Sequence, residues 1–83
     1  MEKQYKEVYF LDKEGFVPTE IFVGKDFANQ KVILKLKLLS LPEGKELPET
    51  TERTESVHIN HEGFVATDPC WSEFPHAKVE VSV

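Results

Sequence analysis

Apolar and polar residues alternate along much of this chain, and the alternation predicts strands. Val32, Leu34, Leu36 and Leu38 fall on one face of an extended segment, with Lys31, Ile33, Lys35 and Lys37 on the other. Leu and Lys are also good helix formers, but a period of two decides for strand. The doublet Leu38-Leu39 breaks the alternation, which predicts a bulge or a change of sheet at Leu39. Residues 77–83 repeat the pattern, with Val79, Val81 and Val83 inward and Lys78, Glu80 and Ser82 outward. Residues 5–11 are rich in strong β formers. There Tyr9 and Leu11 point one way and Val8 and Phe10 the other, so the segment is apolar on both faces. Residues 16–23 read as a return strand. Pro18 within it cannot donate to a ladder, which marks a sheet edge or a bulge.

One stretch occurs twice. Leu-Asp-Lys-Glu-Gly-Phe-Val-Pro-Thr-Glu at 11–20 returns as Ile-Asn-His-Glu-Gly-Phe-Val-Ala-Thr-Asp at 59–68. Each copy predicts a β-hairpin with a three-residue loop. Asp12 or Asn60 opens the turn by accepting a nearby backbone N–H, and Gly15 or Gly63 closes it in the left-handed region. The implied pairing sets Asp12 opposite Phe16, Leu11 opposite Val17 and Phe10 opposite Pro18. In the second copy Asn60 meets Phe64, Ile59 meets Val65 and His58 meets Ala66. Alternation then assigns Tyr9, Leu11, Val17, Thr19 and Ile21 to the core, with Val57, Ile59, Val65 and Thr67. Phe16 and Phe64 lie on the other face, beside their turns. Shared turn chemistry explains such a repeat, and so does an internal duplication giving a pseudo-twofold domain.

The remaining segments are connections. Residues 24–30 are polar apart from Phe27, which caps the core, with room for a single 3₁₀ turn. Residues 42–56 look least ordered. Asp68-Pro69 signals a turn, and residues 70–75 form an irregular link whose Trp71 and Phe74 close one end of the core. About six strands, no helix and frequent turns predict a single all-β domain over residues 1–83. A small antiparallel β-sandwich, immunoglobulin-like in architecture, fits best, and a small open barrel of the OB or SH3 kind is second. The Cys-Trp-Cys arrangement of antibody domains is absent.

Composition narrows the function. A net charge of −5 argues against general nucleic-acid binding, which depends on neutralising phosphates. The charged N-terminal residues lead straight into a strand with no apolar run, so no signal peptide is expected. No apolar stretch is long enough for a membrane span. The expected setting is cytoplasmic, and a virion or secretion-machine component fits equally. A single Cys excludes an internal disulfide framework.

Little of the chain suggests chemistry. His58, His61, Cys70 and His76 are all zinc-ligand types, but the paired spacing of a zinc knuckle is missing, so no metal is expected. Cys70 with His76 and Asp68 suggests a thiol nucleophile only if a cleft brings them together. No phosphate loop, HExxH or GxSxG motif is present, and no enzymatic activity and no cofactor are expected.

Surface residues are the better guide. Phe10, Phe16 and Phe64 lie off the core face and would form an exposed aromatic patch if both hairpins share a sheet. The leading expectation is a protein-binding or structural module, self-associating or part of a larger assembly, with the terminal strand 78–83 free for strand addition and a homodimer through that edge. The second is an acidic inhibitor. Glu43, Glu46, Glu49, Glu52 and Glu55 recur at every third position, one stripe in a three-residue-per-turn conformation, suited to a basic groove. A third is a metal-binding domain using the three histidines and Cys70. Lys35 and Lys37 are expected to pair with Glu52 and Glu55.

Overall fold

A computed structural model of the chain describes residues 4–18, 20–66 and 69–83. Four strands build one antiparallel sheet: β1 (Lys6–Phe10), β2 (Lys31–Ser40), β3 (Glu52–His58) and β4 (Lys78–Ser82). Their order across the sheet is β1-β4-β2-β3. Two single 3₁₀ turns, Lys25–Phe27 and Pro42–Gly44, are the only helical elements among the described residues. The all-β expectation holds.

The alternation in β2 does what the pattern predicts. Leu34, Leu36 and Leu38 are buried, while Ile33 on the opposite face is 60% exposed. Leu36 pairs with Val81 and Leu38 with Val79, so the apolar rows of the two central strands share a face. The register slips between Leu38 and Ser40, placing the bulge at Leu39. Val57, Ile59, Leu11, Val17, Ile21 and Val65 join this core, and Phe27 and Trp71 close its ends. The face chosen for both hairpins is therefore the buried one. Thr19 and Thr67, assigned to the same face, lie outside the described residues.

Three expectations are corrected. The terminal strand is not an edge, because β4 runs between β1 and β2, which take up its backbone N–H and C=O groups on both sides. The strand β3 starts at Glu52, within the stretch read as least ordered. Only Val57 in it is buried, so its own pattern carries little signal and pairing to β2 imposes the extended form. Finally, the return segments are not full strands. They contribute the isolated bridges Phe16–Cys70, Phe22–Phe64 and Ile59–Val65, which leaves four strands among the described residues in place of about six.

The two corners are near-copies in their bonding. Asp12 N–H donates to Phe16 C=O at 2.9 Å, and Asn60 N–H to Phe64 C=O at 2.8 Å. The Asp12 carboxylate accepts from Glu14 and Phe16 N–H, and the Asn60 amide oxygen from Glu62 and Phe64 N–H. The likeness extends well beyond the turn. Trp71 N–H donates to Gly15 C=O and Val23 N–H to Gly63 C=O; Val17 N–H reaches Pro69 C=O and Val65 N–H reaches Ile21 C=O. His76 N–H meets Asp12 C=O as Asn29 N–H meets Asn60 C=O, both 3.1 Å, and both donors have positive φ. Equivalent residues are thus 48 apart up to Trp71 and 47 apart from Phe74 onward. Turn chemistry alone does not reproduce contacts so remote from the turn, whereas an internal duplication does. β1 corresponds to β3 and β2 to β4, about an axis through the Lys35–Ser82 pair. Every ladder in the sheet (β1–β4, β2–β4 and β2–β3) joins one half to the other.

Candidate functional site

The pseudo-twofold leaves two edge strands, β1 and β3, equivalent in backbone and unlike in side chains. In β1 the hydrogen bonds from Val83 N–H to Tyr5 C=O and from Leu11 N–H to Ala77 C=O bracket the ladder. Odd-numbered residues therefore bond to β4, and Lys6, Val8 and Phe10 turn their N–H and C=O groups away from the sheet. In β3, Ile59 N–H to Gln30 C=O and Leu38 N–H to Thr51 C=O set the same parity, so Glu52, Thr54, Ser56 and His58 face outward. The β3 edge is polar throughout. The β1 edge carries Phe10, 68% exposed, and Val8, 46% exposed.

The return segments widen this difference. Behind β3, Ile59 bridges Val65 and Ala66 N–H donates to His58 C=O at 2.9 Å, covering the end of the edge. The position equivalent to Ala66 is Pro18, which has no N–H to give. Past the corner, Val17 N–H turns to Pro69 C=O just as Val65 N–H turns to Ile21 C=O, so the two return segments differ at the next residue. Among the described residues, a backbone hydrogen bond from the return segment covers the end of β3 and none covers the end of β1.

Three phenylalanines were expected in one patch, and they occupy two places. Corner 1 lies at the end of β1 and corner 2 at the end of β3, strands at opposite edges that run antiparallel. Phe16 is half-buried in the bridge to Cys70, and Phe64 is half-buried against Phe22, ring centroids 5.1 Å apart. Only Phe10 stands out on the sheet. Val8 was not among the expected contact residues. Its signal was in the sequence all the same, in a strand apolar on both faces.

The five glutamates do not form one stripe. Glu43 sits in the Pro42–Gly44 turn, and Glu46 and Glu49 in the following loop. Glu52 and Glu55, both in β3, are three residues apart and so on opposite faces: Glu52 pairs with exposed Lys37, Glu55 with buried Leu34. Lys35 pairs with Thr54, so Glu52 alone of the two expected partners faces a lysine. Glu49 and Glu52 line an open groove of about 540 Å³ with Arg53, Trp71, Glu73 and Phe74. Glu43 lines a neighbouring groove of about 420 Å³ with Lys45, Glu73, Phe74 and His76. Both grooves mix charges.

The zinc-ligand types stay apart. His58 is exposed on β3, His61 lies beside Glu62 at 3.4 Å in corner 2, and Cys70 Sγ faces Glu14 C=O at 3.8 Å in corner 1. Among the described residues no three His, Cys, Asp or Glu side chains gather to hold a metal. Asp68, considered beside Cys70 and His76, lies outside the described residues. Among the described residues two titrations are perturbed. Hydrogen bonds from the Phe16 and Glu14 N–H groups hold the Asp12 carboxyl below its ordinary range. Burial, then the bond to the Tyr9 hydroxyl, pushes the Tyr5 phenol well above its own.

Among the described residues no helix is long and apolar enough to cross a membrane. Comparison with protein-family models, curated proteins and solved structures finds no match to this chain.

Proposed function

We propose that this domain is a non-catalytic protein-binding module that receives an extended segment along β1. The carrying observation is the contrast between two edges of one backbone design: polar and covered in β3, apolar and open in β1. Natural sheets blunt their edges with charge, proline or a covering segment, and β3 follows that practice. An edge left open beside exposed Val8 and Phe10 suits strand addition, where ladder bonds supply affinity and alternate side chains supply selectivity. In this reading the return segments form a second layer over the apolar face, giving a flattened sandwich. The setting is intracellular or within a larger assembly.

The test is a titration of extended peptides, including one with the sequence of residues 4–11, into isotopically labelled protein. Amide shifts at Lys6, Val8 and Phe10 are expected, with Thr54, Ser56 and His58 unmoved. Shifts confined to β3, or to the Trp71–Phe74 grooves, overturn the proposal. The grooves support the second reading, an acidic contact with a basic partner, because Glu49, Glu52 and Glu73 converge there. That contact would weaken steeply with salt, and the β1 contact would barely respond.

A further inference from the structure

Resting on the β1 reading, we infer that the segment received by β1 is the β1 of a second copy of this chain. The two strands run antiparallel with Val8 opposite Val8, extending each four-stranded sheet into one of eight.

The backbone parity permits it. Outward ladder groups come from Lys6, Val8 and Phe10, so a partner strand must present residues of the same parity. Centred on Val8, the register pairs Lys6 with the second copy's Phe10 and Val8 with Val8, using all three outward residues of each strand. It sets an ammonium group beside an aromatic face at both ends and joins the exposed apolar side chains into one row. On the other face Glu7 meets Tyr9.

Neighbouring registers fail on charge or on reach. Sliding by one pair toward the N-terminus opposes Glu7 to Glu7, a like-charge pair. Sliding the other way requires Asp12 to extend the ladder. Its N–H is held by Phe16 C=O and its C=O by Gly15 and His76 N–H, so it has nothing left to give.

The symmetry argues for closure. Pairing β1 with itself is isologous and leaves a polar β3 at each end of the joined sheet, so growth stops at two copies. Pairing β1 with β3 would be heterologous and open-ended, and Ala66 already covers the end of β3. The contact between two five-residue strands falls short of the roughly 1,200 Å² of a stable interface. A weak, reversible dimer is expected.

Light scattering and sedimentation over roughly micromolar to millimolar concentrations should give a monomer–dimer equilibrium. Val8→Pro should raise the dissociation constant at least tenfold with the monomer still folded, because the Val8 N–H is not used in the β1–β4 ladder. Phe10→Ser is the second variant, expected to give the same loss with the backbone unchanged. In a Cys70→Ser background, Val8→Cys should oxidise to a covalent dimer, since directly paired Cα atoms lie about 5.5 Å apart. Glu7→Cys and Tyr9→Cys should not. Efficient cross-linking at Glu7 or Tyr9 in place of Val8 overturns the register. A monomer at all concentrations overturns the second copy, and the peptide titration then separates the two failures. Peptide shifts on β1 keep the edge reading, and their absence removes both.

Discussion

At the residue scale the corner glycines carry the strictest demand. Gly15 and Gly63 have φ of +88° and +94°, and each sits against backbone of the other half. A Cβ on Gly15 would lie 2.7 Å from Ser72 Cα, and one on Gly63 2.6 Å from Gly24 C. These contacts are main chain and cannot swing aside. Gly15→Ala and Gly63→Ala are each expected to cost about 3 kcal/mol, left-handed strain plus overpacking. Gly44→Ala, with positive φ but open space around it, should cost only about 1 kcal/mol. Urea unfolding of the three variants measures the difference. Asp12 and Asn60 fill the same role with and without a titrating group. The folded-state pKa of Asp12 is lowered, so its contribution is present above the ordinary carboxylate range and is lost as pH falls through the lowered value. Asp12→Asn should keep the corner and flatten the acid side of the stability–pH profile, read by thermal melts between about pH 2 and 6.

At the element scale, legibility followed how much of a strand's fate lies in its own side chains. β2 and β4 alternate cleanly because each buries one full row, and Leu39 announced its bulge by breaking the count. The β3 strand was hidden because its polar residues follow β2 rather than any pattern of their own. That β4 is internal was not readable either, since alternation reports which face is buried and says nothing of which neighbours flank the strand. The same blindness explains the candidate site. Phe10 was legible as an outward aromatic, but the contrast with β3 exists only once both edges are in view. Pro18 carries that contrast into a test. Pro18→Ala restores the N–H that Ala66 uses to reach His58 C=O. The return segment should then close on Phe10, slowing hydrogen exchange at the residue-18 amide and weakening any binding at β1. An amide that exchanges freely, with binding unchanged, would mean that Pro18 does not hold the edge open.

At the scale of the whole molecule, the repeat is an interlock. Among the described residues neither half contains a ladder between its own strands, and each corner rests on the other half's return segment, Gly15 on Trp71 and Gly63 on Val23. The halves are joined through the exposed loop around Lys45 and Glu46, which contributes no residue to the buried core. Its covalent continuity should then matter through effective concentration rather than through contacts. Chains 1–45 and 46–83, produced separately, are each expected to lack β structure, because their strands have no partners and a two-stranded hairpin is marginal in water. Mixed, they should recover the far-UV spectrum and slow amide exchange of the intact protein, with a melting temperature that rises with concentration. If either fragment alone gives that spectrum as a monomer, the sheet does not depend on pairing between halves. If it does so only as a dimer, one half is standing in for the other, as the pseudo-twofold allows.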